Sequence, residues 1–183
     1  MKKQLVLFLA LMTVFYSASN AQAGFLIEPF AGIEMGSTSE DNNGDSGDMT
    51  GNTMGARVGW QNAGLMAGLD YRMMNWTIEG DPDDSDASFT QMGLFVGYDF
   101  PMMLRLWGTY VFSMEGEDDD SGNEITDGSG LNLGIGYKVM PFVSLNLEIG
   151  STKTTKLKSG SNEIDFDLKY NSYLFSVSFP ISI

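Results

Sequence analysis

The sequence predicts an all-β fold, an eight-stranded antiparallel up-and-down transmembrane β-barrel. Three observations carry that prediction. Hydrophobicity alternates with period two through most of the chain, the mark of strands with two unlike faces. Short turns alternate with long polar segments, and one face of the alternation is apolar without a charge.

The elements follow in order. Residues 1–23 open with Lys2 and Lys3, run through an apolar stretch from Leu5 to Tyr16 and end on Ala21-Gln22-Ala23. That is the pattern of a cleaved secretory signal peptide, which leaves residues 24–183 as the barrel domain. Strands are expected near 25–36, 53–61, 64–78, 88–100, 103–114, 129–139, 142–155 and 166–182. The stretch GLFVGYDFPMMLRLWGTYVF, residues 93–112, is long and apolar enough to suggest a membrane helix. Its periodicity says otherwise. Met92, Leu94, Val96, Tyr98 and Phe100 alternate with Gln91, Gly93, Phe95, Gly97 and Asp99, and alternation resumes after Pro101-Met102. Proline fixes φ and cannot donate to a ladder, so the stretch reads as a hairpin. The unit recurs, with Gly59-Trp60, Gly97-Tyr98 and Gly136-Tyr137 at near-equal spacing, as in a meander.

Short turns are expected near Asn62-Ala63, Pro101-Met102 and Met140-Pro141. Between them lie long loops at 37–52, 79–87, 115–128 and about 156–165. The first three hold 16 of the chain's 24 carboxylates and are assigned to the outside of the cell, with both termini on the periplasmic side. Such acidic runs make a solvated, repulsive surface. They are also hard-oxygen donors, so Asp81, Asp83, Asp84, Asp86, Asp118, Asp119 and Asp120 are weak candidates for a divalent cation, without EF-hand spacing. No other cofactor is expected.

One face carries Met54, Ala56, Val58 and Trp60, then Leu65, Ala67, Leu69 and Tyr71, and later Leu131, Leu133, Ile135 and Tyr137. That face is read as lipid-facing. The opposite face carries Glu28, Glu34, Arg57, Asp70, Arg72, Asp99, Arg105, Lys138 and Glu148 among Gly, Ser and Asn. Turned inward, these charges would pair in a narrow lumen, because unpaired charges there are costly. Asp99 and Arg105 lie symmetrically about the Pro101 turn and Arg57 and Asp70 about the 62–64 turn, so each couple is expected to meet across its hairpin. Gly134→Ser, on the lumenal face, is expected to be far better tolerated than Leu133→Arg or Val96→Arg. Trp60, Phe100, Tyr137 and Phe142 near the short turns, with Trp76, Tyr110, Phe112 and Tyr173 higher up, suggest two aromatic girdles.

The formal charge of −14 argues against nucleic-acid partners. The chain has no Cys, so it does not rely on disulfides, and no His, which removes the commonest general base.

Together with the last strand, where Tyr173, Phe175, Val177, Phe179, Ile181 and Ile183 alternate, the chain resembles small outer-membrane barrel proteins. The OmpA-like and OmpX-like barrel domains are the nearest types. The resemblance is architectural and departs at the C-terminus, which ends in Ile183 rather than an aromatic residue. It implies the outer membrane of a Gram-negative cell. The implied partners are outer-membrane lipid, lipopolysaccharide and, during insertion, the barrel-assembly machinery. A monomer is expected. Enzymatic barrels of this kind need, by the same resemblance, a His beside a Ser; none is available, and no enzyme is expected. The expected function is a barrel with a plugged, ion-paired lumen and acidic extracellular loops, in a structural or surface-interaction role. The alternatives are a narrow channel or small hydrophobic-molecule transporter, and a soluble lipocalin-like periplasmic binding barrel.

Overall fold

The computed structural model describes residues 24–40, 46–78, 85–118, 124–159 and 162–183. Residues 1–23, expected as a signal peptide, lie outside them. The strands are β1 (Gly24–Glu40), β2 (Ser46–Asn62), β3 (Leu65–Ile78), β4 (Ser85–Asp99), β5 (Leu104–Asp118), β6 (Glu124–Met140), β7 (Val143–Ser159), β8 (Asn162–Ser178) and β9 (Ile181–Ser182). From β1 to β8 each pairs antiparallel with the next, and β1 pairs with β2 on one edge and with β8 and β9 on the other. The sheet therefore closes, leaving no free edge to aggregate or to strand backbone groups in lipid. The expected last strand at 166–182 is one barrel strand in two pieces. Pro180 lacks an N–H, so the ladder breaks there, while Phe179 N–H still donates to the Pro29 carbonyl at 2.9 Å. Phe25 and Ile183 exchange backbone bonds of 2.8 and 3.0 Å beyond the break. The barrel is eight-stranded, and residues 93–112 form the β4–β5 hairpin.

The strands reach further outward than alternation suggested. Within the segments expected as loops, Ser37 pairs with Asp48, Ala87 with Asp118 and Leu157 with Ile164. Toward this end the outward side chains become polar while inward Thr38, Met49 and Ala87 stay buried, so the period-two signal weakens although ladder bonding continues. Of the segments expected as long loops, 37–40, 46–52, 85–87, 115–118, 124–128, 156–159 and 162–165 are thus strand.

The short turns share one end with Gly24 and Ile183. Ala63 and Gly64 form the β2–β3 turn with φ of 50° and 86°, the two positive values of a type I′ hairpin. A Cβ on Gly64 would stand 2.6 Å from the Asp99 carbonyl oxygen, so only glycine fits. At the β4–β5 turn Met103 takes φ of 66°, and Phe100 N–H donates to the Leu104 carbonyl at 2.8 Å.

The outward face is apolar in a belt: Met54, Leu69, Leu94, Val96, Tyr110, Leu133, Ile149 and Phe175 are all exposed. The inward face is buried. A β-bulge between Met92 and Gly93 shifts the register to Ser113 and Val111, and past it Met114 rather than Ser113 turns inward.

Candidate functional site

The site is the barrel interior. Alternation on seven consecutive strand segments sends charged side chains inward, and closure of the sheet converges them on the axis. Arg57 on β2 sits at the centre. Its Nε donates to Asp70 Oδ2 at 3.0 Å, its Nη1 to Glu28 Oε1 at 3.3 Å and its Nη2 to Glu148 Oε1 at 2.6 Å. Arg72 grips Asp70 with two bonds of 3.0 and 2.7 Å and reaches Glu148 at 3.3 Å. Arg105 grips Glu28 with two bonds of 2.7 and 2.6 Å. All six residues are buried. Three guanidinium groups meet three carboxylates, so the network is neutral, and the paired forks are the strong, directional form of this interaction.

The expected couple Arg57 and Asp70 meets as predicted. Asp99 and Arg105 oppose each other in the ladder, but their nearest approach is only 4.0 Å. Asp99 instead accepts from Lys138 Nζ at 2.7 Å, while Arg105 points across the barrel to Glu28. Ladder neighbours share a face, yet a long guanidinium reaches past its neighbour to a better-buried acceptor. Glu34 joins no arginine directly; it accepts from the Thr53 hydroxyl.

Aromatic residues also face inward, which the sequence reading missed. Arg57 lies between the rings of Phe30 and Trp107, its Cζ 4.7 and 4.4 Å from their centroids. Trp107 Nε1–H donates to Glu148 Oε2 at 3.3 Å. Further outward, Met49, Met74, Trp76, Phe89, Val111, Met114 and Tyr170 form an apolar cluster. The rings of Trp76 and Phe89 pack at 4.8 Å and both stand 5.7 Å from Tyr170. Trp76 therefore belongs to the interior, not to a girdle. A smaller cluster of Leu26, Met66 and Phe95 lies toward the turns, and Arg105 Nη2 touches Met66 Sδ at 3.2 Å. The cavity beside Glu34, Trp76, Gln91, Asn132 and Tyr170 measures about 10 Å³, room for about one water.

Interior glycines make this packing possible. A Cβ on Gly134 would overlap the Trp107 ring, one on Gly116 the Phe89 ring, and one on Gly55 would stand 2.7 Å from Phe30 Cζ. Gly134→Ser is thus not the mild change expected from its lumenal side: the position is a socket for an indole. A signal was present, since Trp107 and Gly134 fall on inward positions of adjacent strands, but register alone pairs them.

Among the cation candidates, Asp81, Asp83, Asp84, Asp119 and Asp120 lie outside the described residues, as does the side chain of Asp118. Asp86 is exposed and accepts from the Thr77 hydroxyl at 2.9 Å. Among the described residues no three acidic, His or Cys side chains group as metal ligands.

A family model described as "Outer membrane protein beta-barrel domain" matches residues 6–179. The chain belongs to that family. It is an outer-membrane β-barrel of the Gram-negative type, crossing the membrane with strands. No protein of curated function matches it by sequence. In structure this outer-membrane barrel is similar to Neisserial surface protein A, at TM-score 0.54 and 16% identity over 86% of this chain and 98% of that one. It is also similar to Ail, the attachment invasion locus protein of Yersinia pestis, in complex with the heparin analogue sucrose octasulfate. There the TM-score is 0.55 and the identity 10%, over 86% of this chain and 99% of that one. At such identities the likeness is one of fold.

Proposed function

We propose that this outer-membrane barrel is a plugged structural barrel, without enzymatic activity, that presents acidic segments to the outside. One observation carries the reading: the neutral six-residue ion network is buried between two apolar clusters. An ion or solute moving along the axis would have to part the Trp76, Phe89 and Tyr170 rings and then separate buried ion pairs. Both are costly in a low-dielectric interior. The interior carboxylates of the network are held by guanidinium groups, and the chain has no His to act as a base. The acidic segments at the outer end would repel polyanions, so the sulfated sugar bound by Ail is not carried over to this chain.

The test is conductance. Refolded into planar bilayers, the barrel should give no steady current, and Trp76→Ala with Phe89→Ala should raise leak without opening the ion network. Steady single-channel conductance of the unmodified chain would sink the plugged reading in favour of a narrow channel. Saturable uptake of a small apolar probe by vesicles holding the barrel would favour the transporter alternative.

A further inference from the structure

The chain has no Cys, so thioethers are its only sulfur and its side chains readiest to take up oxygen. It has 13 methionines, and apart from Met1 and Met12, which lie outside the described residues, they sort into three environments. Met49, Met66, Met74 and Met114 face the interior and are exposed to 2% or less. Three of them pack with the Trp76, Phe89 and Tyr170 rings, and Met66 Sδ lies 3.2 Å from Arg105 Nη2. Met35, Met54, Met73 and Met92 are exposed on the outward face of the strands, in the apolar belt. Met102, Met103 and Met140 stand at the short turns, with 76%, 53% and 54% exposure.

The three turn methionines share one rim. Lys138 N–H donates to the Met103 carbonyl at 2.7 Å, which seats the β4–β5 turn against the end of β6, two residues before Met140. Pro101, Pro141 and Phe142 are exposed beside them, so the rim is apolar without being packed. Turn chemistry does not call for methionine there. Met103 holds φ of 66°, a conformation that favours Gly or Asn. Area alone does not set the rim apart from the belt, because Met54 and Met103 are both 53% exposed. Their surroundings do: the belt faces hydrocarbon, and a turn at the strand ends faces water. An oxidant dissolved in water therefore meets the rim thioethers, while lipid or close packing keeps it from the others.

We propose that this rim is a reversible methionine oxidation site, with hydrogen peroxide, a water-borne two-electron oxidant, as its substrate. The sulfur lone pair attacks one peroxide oxygen, the O–O bond breaks and an S–O bond forms. The other oxygen leaves as hydroxide and takes the proton from the new S–OH, giving water. Sulfur loses two electrons and the peroxide gains them. A dithiol reverses the step, closing to a disulfide and releasing the oxygen as water. Sulfoxides at Met102, Met103 and Met140 turn an apolar rim polar and leave the plug alone. The same change at Met66 or Met114 would set a polar group into the apolar interior clusters.

The test uses the full barrel refolded into lipid nanodiscs, which leave both ends in water. After a limiting dose of hydrogen peroxide, peptide mass spectrometry reads the sulfoxide at each methionine. Met102, Met103 and Met140 should oxidise about tenfold faster than Met54, Met73 or the interior four. The unfolding midpoint should hold, and methionine sulfoxide reductases for both epimers, with a dithiol, should restore the original mass. Met102→Leu with Met103→Leu and Met140→Leu should abolish the fast phase of peroxide uptake and keep the midpoint, since leucine matches methionine in size but lacks its sulfur. Met54 keeping pace with Met103, a fast phase that survives in the leucine variant, or a midpoint that falls with sulfoxide confined to the rim overturns the proposal. So does resistance of the rim sulfoxides to the reductases. The site-by-site rates come from the unmodified chain, so they decide the matter even where the leucine variant does not refold.

Discussion

At the scale of single residues, Arg57 has the most to lose. It touches Glu28, Asp70 and Glu148 at once and stacks between two rings. Arg57→Met would leave three buried carboxylates with two guanidinium partners. Breaking a buried network in this way costs on the order of 3–5 kcal/mol, to be read as a lowered unfolding midpoint in detergent. A double-mutant cycle on Glu28→Gln and Arg105→Met should show strong coupling, because each grips the other with two bonds. The same cycle on Asp99→Asn and Arg105→Met should be nearly additive, since the two approach no closer than 4.0 Å. Strong coupling there would mean that Arg105 turns back to its ladder neighbour. Gly134→Ser should destabilise by about 1–3 kcal/mol through overpacking against Trp107, and Trp107→Ala should relieve that part of the loss.

At the scale of elements, the hairpin turns and the outward faces set the terms. Ala63 holds a positive φ of 50° in a turn that favours Asn or Gly. Ala63→Asn should therefore stabilise by up to about 1 kcal/mol, measured as slower unfolding in urea. Gly64→Ala should do the reverse, since its new Cβ meets the Asp99 carbonyl. On the outward face of β6, Leu133→Arg puts a charge into the hydrocarbon at a cost of roughly 2–4 kcal/mol. The contrast expected between that change and Gly134→Ser narrows for the reason given above: the lumenal neighbour is crowded as well.

At the scale of the molecule, closure decides both placement and behaviour. Three short turns, Gly24 and Ile183 share one end, so protease added to intact cells should cut in the segments joining β1 to β2, β3 to β4 or β5 to β6 and spare the Pro101 turn. Cutting limited to the short turns would invert the barrel. Because no sheet edge is free, unfolding in detergent should be a single cooperative transition, and separate transitions for the two halves of the barrel would contradict continuous closure.

The sequence by itself determined that this chain is a membrane barrel. Period-two alternation is a local property, so eight strands, their apolar outer face and the inward placement of Glu28, Arg57, Asp70, Arg72, Arg105 and Glu148 were all legible residue by residue. Hairpin symmetry reached one step further and paired Arg57 with Asp70. What only the tertiary structure decided is who meets whom across the axis. Arg57 and Glu148 are 91 positions apart, and Arg105 and Glu28 are 77 apart; no periodicity links them. They meet because a closed, sheared sheet brings inward side chains from opposite walls within one side chain's reach. The same closure turns Trp76, Phe89 and Trp107 into interior packing and glycines into their sockets. Local hydrophobicity cannot foresee this, since a narrow lumen rewards apolar rings as lipid does. Strand ends were lost for the opposite reason: there the outward side chains turn polar, and the contrast between the two faces that alternation reads fades although inward Met49 and Ala87 stay buried.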